Sequence, residues 1–365
     1  MASLVAWIYL VFGRGGFWRM PESQAPKLTG RAKSVAVVIP ARNEESVVGR
    51  AVASLVAQDY PGALHIFLVD DHSSDATITG AGKHERLTIV RASALAKGWT
   101  GKLWAISEGL DRAASMQPDY ILLTDADIVH APGNISGLVA RAEAESLDLV
   151  SYMVKLQCVT LAERALIPAF VFFFFKLYPP AWIVRHDRCT AGAAGGCILI
   201  RASALARIGG IAAIRGELID DCALARAVKQ TGGSIWLGLT RETSSIRNYE
   251  GLGEIQRMIA RTAFTQLDYS AALLLATVLA MAVIYLAPPL LILTRDPIAA
   301  ACGAGAWLLM IVSYTPALRF YGRSIAWAPL LPLVALFYMI ATVDSAVRYW
   351  TGRGGLWKGR VQIAR

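Results

Sequence analysis

Two carboxylates one residue apart close an apolar run at Leu122-Leu123-Thr124-Asp125-Ala126-Asp127. On an extended backbone, residues i and i+2 face the same side, so Asp125 and Asp127 are expected to share one divalent cation. A hard cation held by one or two carboxylates usually completes its shell with substrate phosphates. Asp-x-Asp alone is common in solvated turns, so its meaning rests on its neighbours. Asp70-Asp71 closes a second apolar run, 64–69, and Pro40-Ala41-Arg42-Asn43-Glu44-Glu45 follows a third, 34–40. Lys102 stands in the glycine-flanked turn Gly98-Trp99-Thr100-Gly101-Lys102. Further on come Thr190-Ala191-Gly192-Ala193-Ala194-Gly195-Gly196 and the pair Asp220-Asp221. Glycines there would let backbone approach a ligand closely, or serve as turn residues. Asp220-Asp221 fits an acidic start to the helix that follows it.

These groups need a frame. The apolar pattern predicts strands over 34–40, 64–69, 86–90, 120–124 and 147–152, with helices over 43–58 and 103–115. Strands alternating with helices imply a parallel sheet covered on both faces. Ligands then bind outside the carboxyl ends of the strands, where Asp70, Asp71, Asp125 and Asp127 fall. Glu44 and Glu45 also fit a simpler role as negative charge at a helix N-terminus.

The bulk composition adds a second part. Of 365 residues, 55% are hydrophobic and 17% charged, too apolar for an ordinary soluble protein. The excess gathers in 271–350, with spans expected at about 271–294, 297–318 and 327–347. Residues 1–13 read as an N-terminal membrane anchor, followed by a linker to 33. The aromatic segment 165–184 carries Lys176 and Pro179-Pro180, and is expected to be an interfacial helix beside the active site. The net charge of +9 comes from basic residues flanking the apolar segments: Arg14, Arg19, Lys27, Arg31 and Lys33 before the core, and Arg348 followed by a tail over 351–365. Attraction to anionic lipid explains that placement; no basic patch interleaved with aromatics argues for nucleic acid. The five scattered cysteines form no CxxC pair, which fits a reducing compartment. The basic linker and the Arg319/Arg323 loop agree with a cytoplasmic catalytic domain. Three full C-terminal spans would export the basic tail, leaving one of the three open as a re-entrant or interfacial segment.

Taken in order, these segments resemble the inverting family 2 glycosyltransferases. Within that family the likeness is greatest to the hopene-associated group of hopanoid-making bacteria, carried by the stretches LAKGWTGKLWA, AAGGCILI and RTAFTQL and by the apolar C-terminus. The resemblance implies an α/β fold of GT-A type, a Rossmann-like nucleotide-diphospho-sugar transferase domain over 34–262, with transmembrane helices over 271–350. It implies that Asp71 accepts a hydrogen bond from a uracil, with Pro40, Arg42 and Glu44 walling the base and ribose. Lys102 would meet the diphosphate. Asp125 would bind ribose and metal, and Asp127 the metal, as Mg2+ or Mn2+. Asp221 would be the general base, beside Asp220 where the family usually has Glu. The Gln-x-x-Arg-Trp motif of processive relatives is absent, for Gln256-Arg257-Met258-Ile259-Ala260-Arg261-Thr262 departs from it. A non-processive enzyme is therefore expected, with Arg257 or Arg261 as a further diphosphate contact. The implied partners are a nucleotide sugar (a UDP-sugar), a lipid acceptor and the bacterial inner membrane. Polyprenyl phosphate, ceramide-like or diacylglycerol-like acceptors stay open, as does a catalytically silent scaffold.

Overall fold

The computed structural model describes all residues except 25, 358, 359 and 362–365. Lys358 and Arg365 of the expected basic tail therefore lie outside the described residues. The chain divides into an α/β unit, built chiefly from Pro21–Leu156 and Trp182–Arg247, and a helical unit of Met1–Met20, Gln157–Ala181 and Asn248–Gly355.

The α/β unit is organised on eight strands: β1 Val35–Ala41, β2 Leu64–Asp70, β3 Leu87–Arg91, β4 Tyr120–Leu123, β5 Ile128–His130, β6 Leu149–Lys155, β7 Ile198–Arg201 and β8 Ile235–Ser245. Their order across the sheet is β3-β2-β1-β4-β7-β6-β8-β5. β1 to β4 are parallel, as the alternating pattern predicts. The sheet as a whole is mixed, which corrects the all-parallel expectation: β7 runs antiparallel to β4 and β6, and β5 antiparallel to β8. Leu123 pairs with Ile198, so the entry into β7, with Gly195 and Gly196, lies at the carboxyl end of β4.

β1 is buried at every position. Val37 and Ile39 join a core cluster with Val48, Val52 and Leu55 of helix Val48–Val56, three apolar residues on one stripe of that helix. Each such side chain contributes about 1.5–3 kcal/mol on burial. The helix begins five residues later than the predicted 43–58. The amides of Asn43, Glu44 and Glu45 are already engaged by Ser73 Oγ (3.0 Å), Thr77 Oγ1 (2.7 Å) and Asp75 Oδ2 (3.2 Å). Asn43 turns the chain at a positive φ of 53°. Glu44 and Glu45 thus sit in a loop ahead of the helix rather than in its first turn.

In the helical unit, four helices are long and apolar enough to cross a membrane by length and composition: Leu161–Ile183, Ala271–Ile292, Pro297–Phe320 and Ile325–Trp350. Three match the expected spans; the fourth covers the segment expected to be interfacial. Asp344, within the last, is paired with Arg348 at 2.8 Å and accepts from Gln256 at 3.2 Å. The first C-terminal helix contains a π-helical turn, Ala282–Leu286, just before Pro288-Pro289. Prolines cannot donate to the carbonyls one turn back. Ser3 Oγ donates to the Val283 carbonyl at 2.6 Å instead, and Trp7 Nε1 to the Ile284 carbonyl at 2.7 Å. Trp7 is fully buried, so the N-terminal helix is a packed part of this unit.

Candidate active site

β4 ends at Leu123, and Asp125 to Asp127 fall in a turn closed by the Ile128 amide on the Asp125 carbonyl at 3.2 Å. The expected extended backbone is therefore replaced by a turn, and each carboxylate pairs with a different basic side chain. Asp125 Oδ1 lies 2.9 Å from Lys102 Nζ. Asp127 Oδ2 accepts from Arg247 Nε at 2.9 Å and from Ser245 Oγ at 3.2 Å.

Lys102 arrives at the first turn of helix Gly101–Ala113, whose N-cap is Thr100. A cation there opposes the helix dipole, so its position must be justified by other charges. They are Asp125 and Asp220, whose Oδ2 is 3.1 Å from Nζ. Burial pulls the lysine pKa down, but Asp125 and Asp220 outweigh it and hold the value raised. Asp220 and Asp221 open helix Asp220–Gln230, where negative charge suits the dipole. Asp221 accepts from the Gly195 amide at 2.8 Å and from the Cys222 amide at 2.7 Å. Burial first, and Asp220 second, push its carboxyl up to about 6. Asp125 is also raised, by burial and by the nearby Asp127, against the pull of Lys102. A Cβ at Gly195 would lie 3.3 Å from Lys102 Nζ and 3.4 Å from Asp221 Oδ2; glycine keeps that junction open. Pro40, Lys102, Asp125, Gly195, Asp220 and Asp221 line a common recess.

On the β1–β2 side, Asp71 is fully buried, with Arg42 Nη1 3.7 Å from its carboxylate. Arg42 also donates to the Asp71 and His72 carbonyls. Glu44 receives Arg247 Nη2 on both oxygens, at 2.8 and 2.7 Å. Burial works against the charge of Arg247, but Asp127 and Glu44 raise its pKa above the usual arginine value. Sequence reasoning missed Arg247. It is delivered by β8, whose Ser245 pairs with Ile128, and by the Ile246 amide on the Asp127 carbonyl at 2.8 Å. An arginine just past a period-two strand was the available signal.

Sequence reasoning also missed His130, buried under the Asp-x-Asp turn. Its Nδ1 lies 2.9 Å from Asn134 Nδ2 and its Nε2 3.0 Å from Thr124 Oγ1. The Asn134 amide donates to Nδ1, so the proton is on Nε2. Thr124 in turn donates to the Gly196 carbonyl at 2.8 Å, tying the end of β4 to the glycine segment.

Of the residues named from sequence, Pro40, Arg42, Glu44, Asp71, Lys102, Asp125, Asp127, Asp220 and Asp221 all belong to the α/β unit. Arg261 belongs to the helical unit, exposed at the end of helix Leu252–Ala260. Among the described residues no group of three or more His, Cys, Asp or Glu side chains is ready to hold a metal. The donors around Lys102 are carboxylate oxygens, the ligands a hard divalent ion takes when phosphates supply the rest of its shell. The residues therefore fit Mg2+ or Mn2+ entering with a diphosphate.

Residues 36–209 match the family described as Glycosyl transferase family 2. The chain is similar to the beta-monoglucosyldiacylglycerol synthase of Synechocystis sp., 38% identical over 117 residues, which is 29% of this chain and 23% of that protein. It is similar to the dodecaprenyl-phosphate galacturonate synthase of Rhizobium johnstonii, 33% identical over 121 residues, covering 32% of this chain and 34% of that protein. The chain thus spans between a quarter and a third, roughly, of these curated relatives. A mannosyltransferase from Pyrobaculum calidifontis, solved with GDP-Man and Mn2+, shares the fold at a TM-score of 0.54. It is 18% identical, with 98% of this chain and 99% of that chain covered. The strand-end carboxylates thus stand in an α/β unit of GT-A-like fold, most of which is similar to family 2 glycosyltransferases.

Proposed function

We propose that the protein is a membrane-bound, inverting, non-processive glycosyltransferase that moves a sugar from a UDP-sugar to a lipid hydroxyl. The observation that carries this reading is the placement of Asp221, with its carboxyl near pKa 6, beside Gly195 and within one recess of Asp125 and Lys102. Inversion requires the acceptor oxygen to attack the anomeric carbon opposite the leaving diphosphate. Asp221 takes the acceptor hydroxyl proton as that bond forms and the bond to the diphosphate breaks. Asp220 is committed to Lys102, so it sets the charge beside the base rather than acting as a second base. Asp71, with Arg42 and Pro40, receives the nucleoside end, and Glu44 is held in place by Arg247. Mg2+ or Mn2+, held by Asp125 and the oxygen of Asp127 not engaged by Arg247, would act as a Lewis acid on the departing diphosphate.

The lipid class is supported by the four apolar helices and by relatives whose names specify diacylglycerol and prenyl-phosphate products. A hopanoid-type acceptor in the bacterial cytoplasmic membrane, with the α/β unit facing the cytoplasm, rests on sequence resemblance. The test incubates membranes containing the protein, or its Asp221→Asn variant, with labelled nucleotide sugars and separate lipid acceptors. Label is expected to enter one lipid class with the native protein and none with the variant. Equal labelling by both would sink the assignment of the base. No labelled lipid with any donor would sink the enzyme reading.

A further inference from the structure

The cations that meet Asp125 and Asp127, Lys102 and Arg247, differ in kind. Arg247 is a planar fork, bound on two oxygens of Glu44 and one of Asp127; such a clamp is suited to staying in place. Lys102 is a point charge on a flexible stem, 2.9 Å from Asp125 and 3.1 Å from Asp220. Its place in the first turn of a helix opposes the dipole, so the helix itself gains nothing from it. Gly195 leaves space where the ammonium and Asp221 draw close. Without Lys102, the charges of Asp125, Asp220 and Asp221 would face one recess uncompensated.

Resting on the metal-dependent reading above, we infer that Lys102 is the built-in counter-ion of the metal-free site, and that a divalent metal gains Asp125 only by displacing it. A nucleotide diphosphate favours that exchange, because it brings oxygens for the metal and a new anion for the freed ammonium. Metal and nucleotide are therefore coupled through one lysine. Such coupling is reciprocal, and typical magnitudes are about 5–150-fold.

The test is Mn2+ binding by the purified full chain, read from the electron paramagnetic resonance of free Mn2+, with and without UDP or GDP. The native protein is expected to bind Mn2+ weakly alone and at least ~10-fold more tightly with nucleotide, within that coupling range. Lys102→Met is expected to bind Mn2+ alone ~10-fold more tightly than native and to lose most of the nucleotide effect. Lys102→Arg, which keeps the charge, is expected to bind Mn2+ alone as weakly as native. If Lys102→Met does not fold, Lys102→Gln is read in the same titration. Metal binding unchanged in the neutral variants, while nucleotide still tightens it in the native protein, overturns the lysine's role and leaves the metal site standing. No Mn2+ uptake by the native protein with either nucleotide overturns the metal reading and this inference with it.

Discussion

Arg247 and Glu44, 203 positions apart in the chain, meet with one guanidinium nitrogen 2.8 and 2.7 Å from the two carboxylate oxygens. The same guanidinium turns Nε to Asp127 at 2.9 Å. The loop after β1 and the turn after β4 are thereby fastened to the end of β8.

Removing that fastening leaves two buried carboxylates without their cation. Arg247→Met is expected to destabilise the protein by about 1.5–3 kcal/mol, the range for hydrogen bonds to charged groups. Arg247→Lys is expected to restore only part of it, because a point charge cannot hold both partners in one plane. Thermal unfolding of the detergent-solubilised protein measures both; a lysine variant as stable as native would show that charge alone suffices.

The proposed base fixes a pH profile. Asp221 works deprotonated, and burial together with Asp220 sets its carboxyl at about 6. Glycosyl transfer is expected to fall about tenfold per pH unit below that value and to level off above it. Asp220→Asn removes a like charge and is expected to move the acid limb to lower pH. A limb that stays in place in this variant would belong to another group.

His130 makes stability depend on pH in a defined window. Burial pushes its pKa from 6.5 down to about 3. Between those values the unfolded chain takes up a proton that the folded protein refuses. Stability is therefore expected to fall as pH drops from about 6.5 toward about 3, by up to ~1.4 kcal/mol per unit, and to gain nothing from this group above 6.5. Melting temperatures of native protein and His130→Gln across pH 5 to 7.5, roughly the upper part of that window, are expected to converge at the acid end. Parallel curves would exclude His130 as the source.

Trp7 offers a test of the helical unit. Trp7→Phe keeps a ring against Tyr285, which now packs edge-on at 5.5 Å, but loses the bond to the Ile284 carbonyl. The expected cost is about 0.6–1.7 kcal/mol, as for hydrogen bonds inside membrane proteins. Trp7→Ala also loses the packing and is expected to cost about 3–5 kcal/mol. If both variants unfold with the native protein, the N-terminal helix is only an anchor.

Much of this protein is legible in its sequence, because the signals are local. β1, β4 and all of β2 beyond His65 are apolar runs ended by polar residues, so the pattern alone puts Asp71 and Asp125 at strand ends. The three C-terminal apolar helices are legible for the same reason: twenty or so apolar residues dictate a helix wherever they lie. The start of helix Val48–Val56 is misread because side chains some thirty residues away take the amides that a helix would have used. Which cation each carboxylate meets is a matter of tertiary packing. Asp125 and Asp127 look equivalent in sequence, yet the turn after β4 sends one to Lys102 and the other to Arg247. That outcome depends on β7 running antiparallel and on the register of β8 against β5. Strand direction and register are set by packing between segments distant in the chain, and no local spacing encodes them.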